Sequence, residues 1–272
     1  MRGRIKGLWP LLWQMVYPLL VYVAVVELVF AAWGILAGQA TESQALPLTA
    51  LGAALAMFPL GSDYRMVRRR NGPCGNAAPS GRRKGQMGGR SVLRVFFFAV
   101  GACLLFNSLL WFLPCWEGGY QKVGRTLQGP SFGVQLACIG IVIPAAEELI
   151  FRGLGYYRLR QEMTVKASAA LTAGCFALFH GNLLQGVYAA LLGLFLAMLY
   201  EVYDSLWACW LFHGAANLAS LTLSRFLTAK GPGLWQMAGG IAFGGALFFT
   251  MGNKIIREGK ERETINHNHT LL

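Results

Sequence analysis

Residues 144–157, PAAEELIFRGLGYY, set two adjacent carboxylates, Glu147 and Glu148, and one guanidinium, Arg152, inside an otherwise apolar stretch. A charge at a bilayer centre costs at least about 2.5 kcal/mol on insertion scales, so such residues face a bundle interior or a wet cavity and find partners there. Glu148 and Arg152 stand four apart, share one face of a helix and can pair, with the acid on the N-terminal side. Glu147 lies about 100° further round and has no such partner. The unpaired carboxylate is the better candidate for a base, the paired one for its support. Two more polar clusters follow in apolar surroundings: FALFH, ending at His180, and HGAAN, from His213 to Asn217.

Together these groups meet the needs of amide hydrolysis inside a membrane. A water must be held and deprotonated, and the developing oxyanion must meet fixed donors. Glu147 can take the proton and His180 can orient the same water. His213 and Asn217, one helical turn apart, can point donors at the oxyanion. Any one of these histidines alone reads better as an interhelical hydrogen bond that fixes packing. Three clusters together favour a site. The same groups would also suit a proton or ion path in a transporter, or a membrane scaffold without catalysis.

The elements that must position them are membrane helices. The chain has 272 residues, 55% hydrophobic and only 13% charged, against about 25% charged in soluble domains. Apolar runs at about 8–36, 45–60, 92–114, 132–157, 167–180, 183–203, 206–227 and 234–252 give an all-α, polytopic transmembrane helical bundle of about eight spans. The runs at 45–60 and 167–180 fall below the roughly 20 residues of a full span. Pro144 should kink the fourth, Asp204 or Ser205 could cap the seventh, and the tail from residue 253 reads as disordered. The net charge of +12 does not indicate nucleic acid, because the Lys and Arg sit between the apolar runs, where orientation in the bilayer explains them. Six cysteines without metal-ligand spacing read as small buried hydrophobes.

E-E-x-x-x-R (Glu147, Glu148, Arg152), F-x-x-x-H (Phe176, His180) and H-x-x-x-N (His213, Asn217), in that order on consecutive hydrophobic helices, resemble the three motifs of the CPBP family of type II CAAX prenyl endopeptidases and Abi-type or bacteriocin-processing intramembrane proteases. The likeness covers roughly residues 132–223. It implies a CAAX-protease-like bundle in which Glu147 activates water with His180, His213 and Asn217 form the oxyanion site, and Glu148 and Arg152 brace the first motif. It also raises a divalent metal: Glu147, His180 and His213 make a plausible zinc set. The chain lacks an H-E-x-x-H signature, which favours a mechanism with no cofactor.

The expected organisation is N-terminal membrane helices over 1–131 with a basic loop at 61–91, a catalytic core over 132–227, a last membrane helix at 228–252 and a tail at 253–272. Alternating the connections collects most basic residues on one side, so both termini are expected in the cytoplasm, at the plasma membrane of a prokaryote. The expected partners are a membrane-associated peptide or protein substrate and, at the 61–91 loop, anionic lipid. Finally, Glu147 and His180 can share one water only if the short fifth helix ends within the bilayer, at a polar cavity.

Overall fold

The computed structural model describes residues 8–72, 74, 87–112, 130–226 and 233–270. These form eight helices: α1 (Leu8–Ala37), α2 (Glu42–Asn71), α3 (Gly89–Leu110), α4 (Phe132–Glu162), α5 (Val165–Phe179), α6 (Leu183–Tyr203), α7 (Leu206–Phe226) and α8 (Leu234–Thr270). No strand occurs among the described residues. The protein is an integral membrane protein: α1, α2, α3, α4, α6 and α8 are each long and apolar enough to cross a bilayer.

Three expectations change. Of the eight expected spans, six qualify; α5, at 15 residues, is too short, and α7 carries His213 and Asn217 within its apolar sequence. The loop expected at 61–91 is helical as far as Asn71 and again from Gly89, because RMVRRRN continues α2 and places Arg68, Arg69 and Arg70 in its last turn, where cations suit the helix dipole. Its residues 75–86, and the expected connection at 115–129, lie outside the described residues. The tail expected to be disordered instead extends α8 to Thr270, with Glu258 bound by Ser91, Arg94, Tyr203 and Arg262.

Helix α4 is central, packed against α1, α2, α5, α6 and α7, while α3 and α8 lie along each other on one flank. Lipid offers no hydrophobic drive for helix pairing, so close backbone approach between small residues matters. A Cβ on Gly101 of α3 would stand 2.6 Å from the Phe248 backbone nitrogen of α8, so only glycine allows this contact. Phe98, Phe106, Phe195, Phe212 and Phe248 fill the space between α3, α6, α7 and α8.

The starts of α1, α3, α5 and α7 and the ends of α2, α4, α6 and α8 meet at one end of the bundle. Ion pairs tie that end together. Arg68 holds Asp204 through two 2.7 Å bonds, Arg158 holds Asp63 at 2.6 Å, and Arg160 holds Glu201 at 2.8 Å. Asp204, expected as a helix cap, spends its carboxylate on Arg68 and the Cys74 amide, and its own backbone takes the left-handed conformation that closes α6 (φ 46). Apart from Arg152 and Arg225, every described Lys and Arg lies at or near this end.

Candidate functional site

The site is built on a helix that departs twice from α geometry. Within α4, π-helical segments at Cys138–Val142 and Leu149–Tyr156 flank the short α stretch Ile143–Glu148 that carries both glutamates. The first widening accommodates Pro144, which has no N–H and whose ring would press on a carbonyl one α turn earlier. In the i→i+5 pattern, the donor for the Ile139 carbonyl would be the missing Pro144 N–H. Asn217 supplies one in its place, its Nδ2 donating at 3.0 Å. Trp210 Nε1 likewise donates to the Ile141 carbonyl at 2.8 Å. Helix α7 can come this close because Gly140 and Gly214 face each other: a Cβ on Gly214 would collide with the Gly140 carbonyl oxygen. The expected kink at Pro144 is thus a π turn repaired from α7.

That approach brings His213 between the two glutamates. Its Nδ1 lies 2.7 Å from Glu148 Oε1, and its Nε2 lies 3.6 Å from Glu147 Oε2. Glu148 Oε1 also accepts from Arg152 Nη1 at 2.9 Å, the ion pair expected from the i, i+4 spacing. Arg152 continues the chain, donating from Nη2 to the Gly193 carbonyl of α6 at 3.3 Å and stacking over Phe176 of α5 at 4.6 Å. Arg152 is 0% exposed and Glu148 1%. Breaking such a buried pair by removing one partner typically costs about 3–5 kcal/mol. Glu147, at 8%, makes no hydrogen bond among the described residues. The division into a supported acid and a free one is therefore present, and His213 links them. Sequence spacing did not reveal this link, because it joins α4 to α7.

His180 enters through an aromatic hub. It follows the last residue of α5, and Gly181, at φ 65, turns the chain into α6, whose start is capped by the Asn182 side chain on the Gln185 amide. The His180 ring packs edge-on to Phe176 with centroids 4.7 Å apart, and Phe176 in turn meets the His213 ring at 5.6 Å. His180 Nδ1 sits 2.7 Å from the Phe176 carbonyl, which can only accept, so Nδ1 carries the hydrogen and Nε2 is left as an acceptor. As expected, α5 is short: its 15 residues rise only about 22 Å from the basic end. The three motifs therefore surround Phe176. Asn217 is the exception, since one of its two amide hydrogens serves the Ile139 carbonyl.

Tyr22 of α1 is a neighbour that the sequence did not mark. It is 5% exposed, packs its ring edge against Phe179 at 5.9 Å, and interacts electrostatically with Glu147. Nothing in a helix of such uniform hydrophobicity singles it out.

The proposed zinc set does not close on a common point. Among the described residues, no group of three or more His, Cys, Asp or Glu side chains is placed to hold a metal ion. Glu147 and His213 are neighbours, while the Nδ1 face of His180 is taken by a backbone carbonyl.

Comparison with known proteins finds a likeness, and it lies on the helices that carry this geometry. Residues 129–219 match the family model described as type II CAAX prenyl endopeptidase Rce1-like, a stretch that holds all seven residues of the three motifs. No curated protein and no solved structure matches the chain. Over the matched helices the chain is similar to the Rce1-like family, and a protease of the CAAX type within the membrane is the kind of function this likeness supports.

Proposed function

We propose that the protein is an intramembrane endopeptidase in which Glu147 activates the attacking water. The observation that carries this reading is His213 held between two unlike carboxylates: Glu148, saturated on one oxygen by Arg152 and His213, and Glu147, without a hydrogen bond among the described residues. A base needs a free lone pair in a dry site, and a support needs its charge spent elsewhere.

Glu147 takes a proton from water oriented by Nε2 of His180, and the hydroxide attacks the scissile carbonyl carbon. The oxyanion is met by His213 and by the second amide hydrogen of Asn217. Glu147 then returns the proton to the leaving nitrogen as the C–N bond breaks, giving an amine and a new carboxylic acid, which ionises on release into water. Glu148 orients His213 by accepting from Nδ1, and Arg152 holds Glu148. No metal takes part.

The substrate is a membrane-associated peptide, of CAAX, leader or signalling type, reaching a site buried between helices. By the positive-inside rule, the basic end of the bundle and both termini face the cytoplasm of a prokaryotic plasma membrane. Purified protein incubated with a farnesylated CAAX-type peptide, with products read by mass spectrometry, is expected to release a shortened prenyl peptide with an ordinary carboxylate. If a panel of prenylated, leader and signalling peptides stays intact with folded protein, the protease reading fails.

A further inference from the structure

A second site lies away from the motifs, at the basic end of the bundle. A cavity of about 510 Å³ opens there between the start of α1 and the ends of α2 and α4, lined by Trp13, Gln14, Tyr17, Arg70, Arg158 and Glu162 among others. Its volume is in the range of small-ligand pockets, about 300–1,000 Å³.

Its chemistry is two-sided. Arg158 is fixed through Nη2 by Tyr17 and Asp63, and its guanidinium stacks on the Tyr17 ring. Its Nη1 is buried with no hydrogen-bond partner among the described residues, although leaving a buried donor unpaired is unfavourable. Arg70 and Glu162 also line the cavity, and neither has an ion-pair partner among the described residues. Since Asp63 already balances Arg158, the free charges are one cation and one anion, which suits a zwitterion better than a simple anion.

The cavity also sits where a lipid head would be. Trp9 and Trp13 are exposed and stacked, with ring centroids 6.4 Å apart, as aromatic residues are at a membrane interface. Below Trp13, the spacing 13, 16, 20, 23 runs down one face of α1, and Trp13, Val16, Leu20 and Val23 are each more than 40% exposed. Positions three and four apart form a continuous strip, so an apolar track leads from the cavity along the outside of the helix.

We propose that this cavity binds the headgroup of a zwitterionic phospholipid of the phosphoethanolamine class. The phosphodiester accepts from Arg158 Nη1 and Arg70, the ammonium meets Glu162, and an acyl chain lies along the α1 strip. The site is independent of the catalytic reading, because it shares no residue with the three motifs.

The test is native mass spectrometry of delipidated full-length protein titrated with short-chain phosphatidylethanolamine, phosphatidylglycerol or inorganic phosphate, with melting temperature as a second readout. Wild type is expected to take up one phosphatidylethanolamine in preference to phosphatidylglycerol and to melt higher with it. Arg70→Gln is expected to weaken binding of both lipids about tenfold, the loss of one charge-assisted bond. Glu162→Gln is expected to weaken phosphatidylethanolamine alone. Both residues lie at the surface, so the lipid-free melting temperature should hold. Equal binding of the two lipids with no effect of Glu162→Gln would overturn the zwitterion assignment. Binding of inorganic phosphate as tight as that of lipid would overturn the lipid assignment.

Discussion

Adjacent glutamates on one helix have unlike surroundings, and their variants should fail differently. Glu147→Ala removes a carboxylate that makes no hydrogen bond among the described residues and meets His213 only at 3.6 Å, so cleavage should fall by at least about a hundredfold, the usual scale of acid–base catalysis, with little change in melting temperature. Glu148→Ala strands Arg152 and frees His213. It should lose about 3–5 kcal/mol of stability along with activity, read as a marked fall in melting temperature in detergent. Equal destabilisation by the two would contradict this division. Asn217→Ala should also destabilise, by about 1–3 kcal/mol, because it orphans the Ile139 carbonyl; an unchanged melting temperature would assign Asn217 to chemistry alone. The ion pair of Glu148 and Arg152 was legible because four-residue spacing is a local rule. The bond from His213 to Glu148 was not, because it spans 65 positions of sequence.

The same limit governs the elements. The bounds of the apolar runs marked where α5 ends, and there Gly181 takes a left-handed turn. Neither π segment has a sequence mark beyond Pro144, since the choice between α and π winding depends on what α7 offers to the loosened carbonyls. The helical ends of the expected 61–91 loop were missed because polar composition suggests a loop, whereas Arg68 is fixed by Asp204 on another helix. At this scale the contact of Gly214 with Gly140 is the sensitive point. Gly214→Ala should separate α4 from α7 and cost about 1–3 kcal/mol as overpacking, with cleavage lost more steeply than stability as His213 moves away from Glu148. A variant with full activity and an unchanged melting temperature would show that the close approach is not needed.

At the scale of the molecule, alternation of the eight helices gathers the described Arg and Lys, apart from Arg152 and Arg225, at or near one end. Single cysteines placed near residue 80 and after residue 262 should be labelled from the same side by an impermeant reagent; labelling from opposite sides would mean that one helix does not cross. The family match lies on the helices that carry the motifs, while α1, α2 and α3 lie outside it. Even so, α1 packs Tyr22 against Phe179, whose ring in turn meets His180, so the unmatched part helps to enclose the site. The central claim is that Glu147 is the base of a membrane-embedded hydrolysis. Its most direct measurement is the cleavage rate of a prenylated peptide by Glu147→Gln, which keeps the shape and removes the charge, compared with wild type at equal folded fraction. A fall of at least about a hundredfold with an unchanged melting temperature is the predicted result; a rate within a few-fold of wild type would contradict the account.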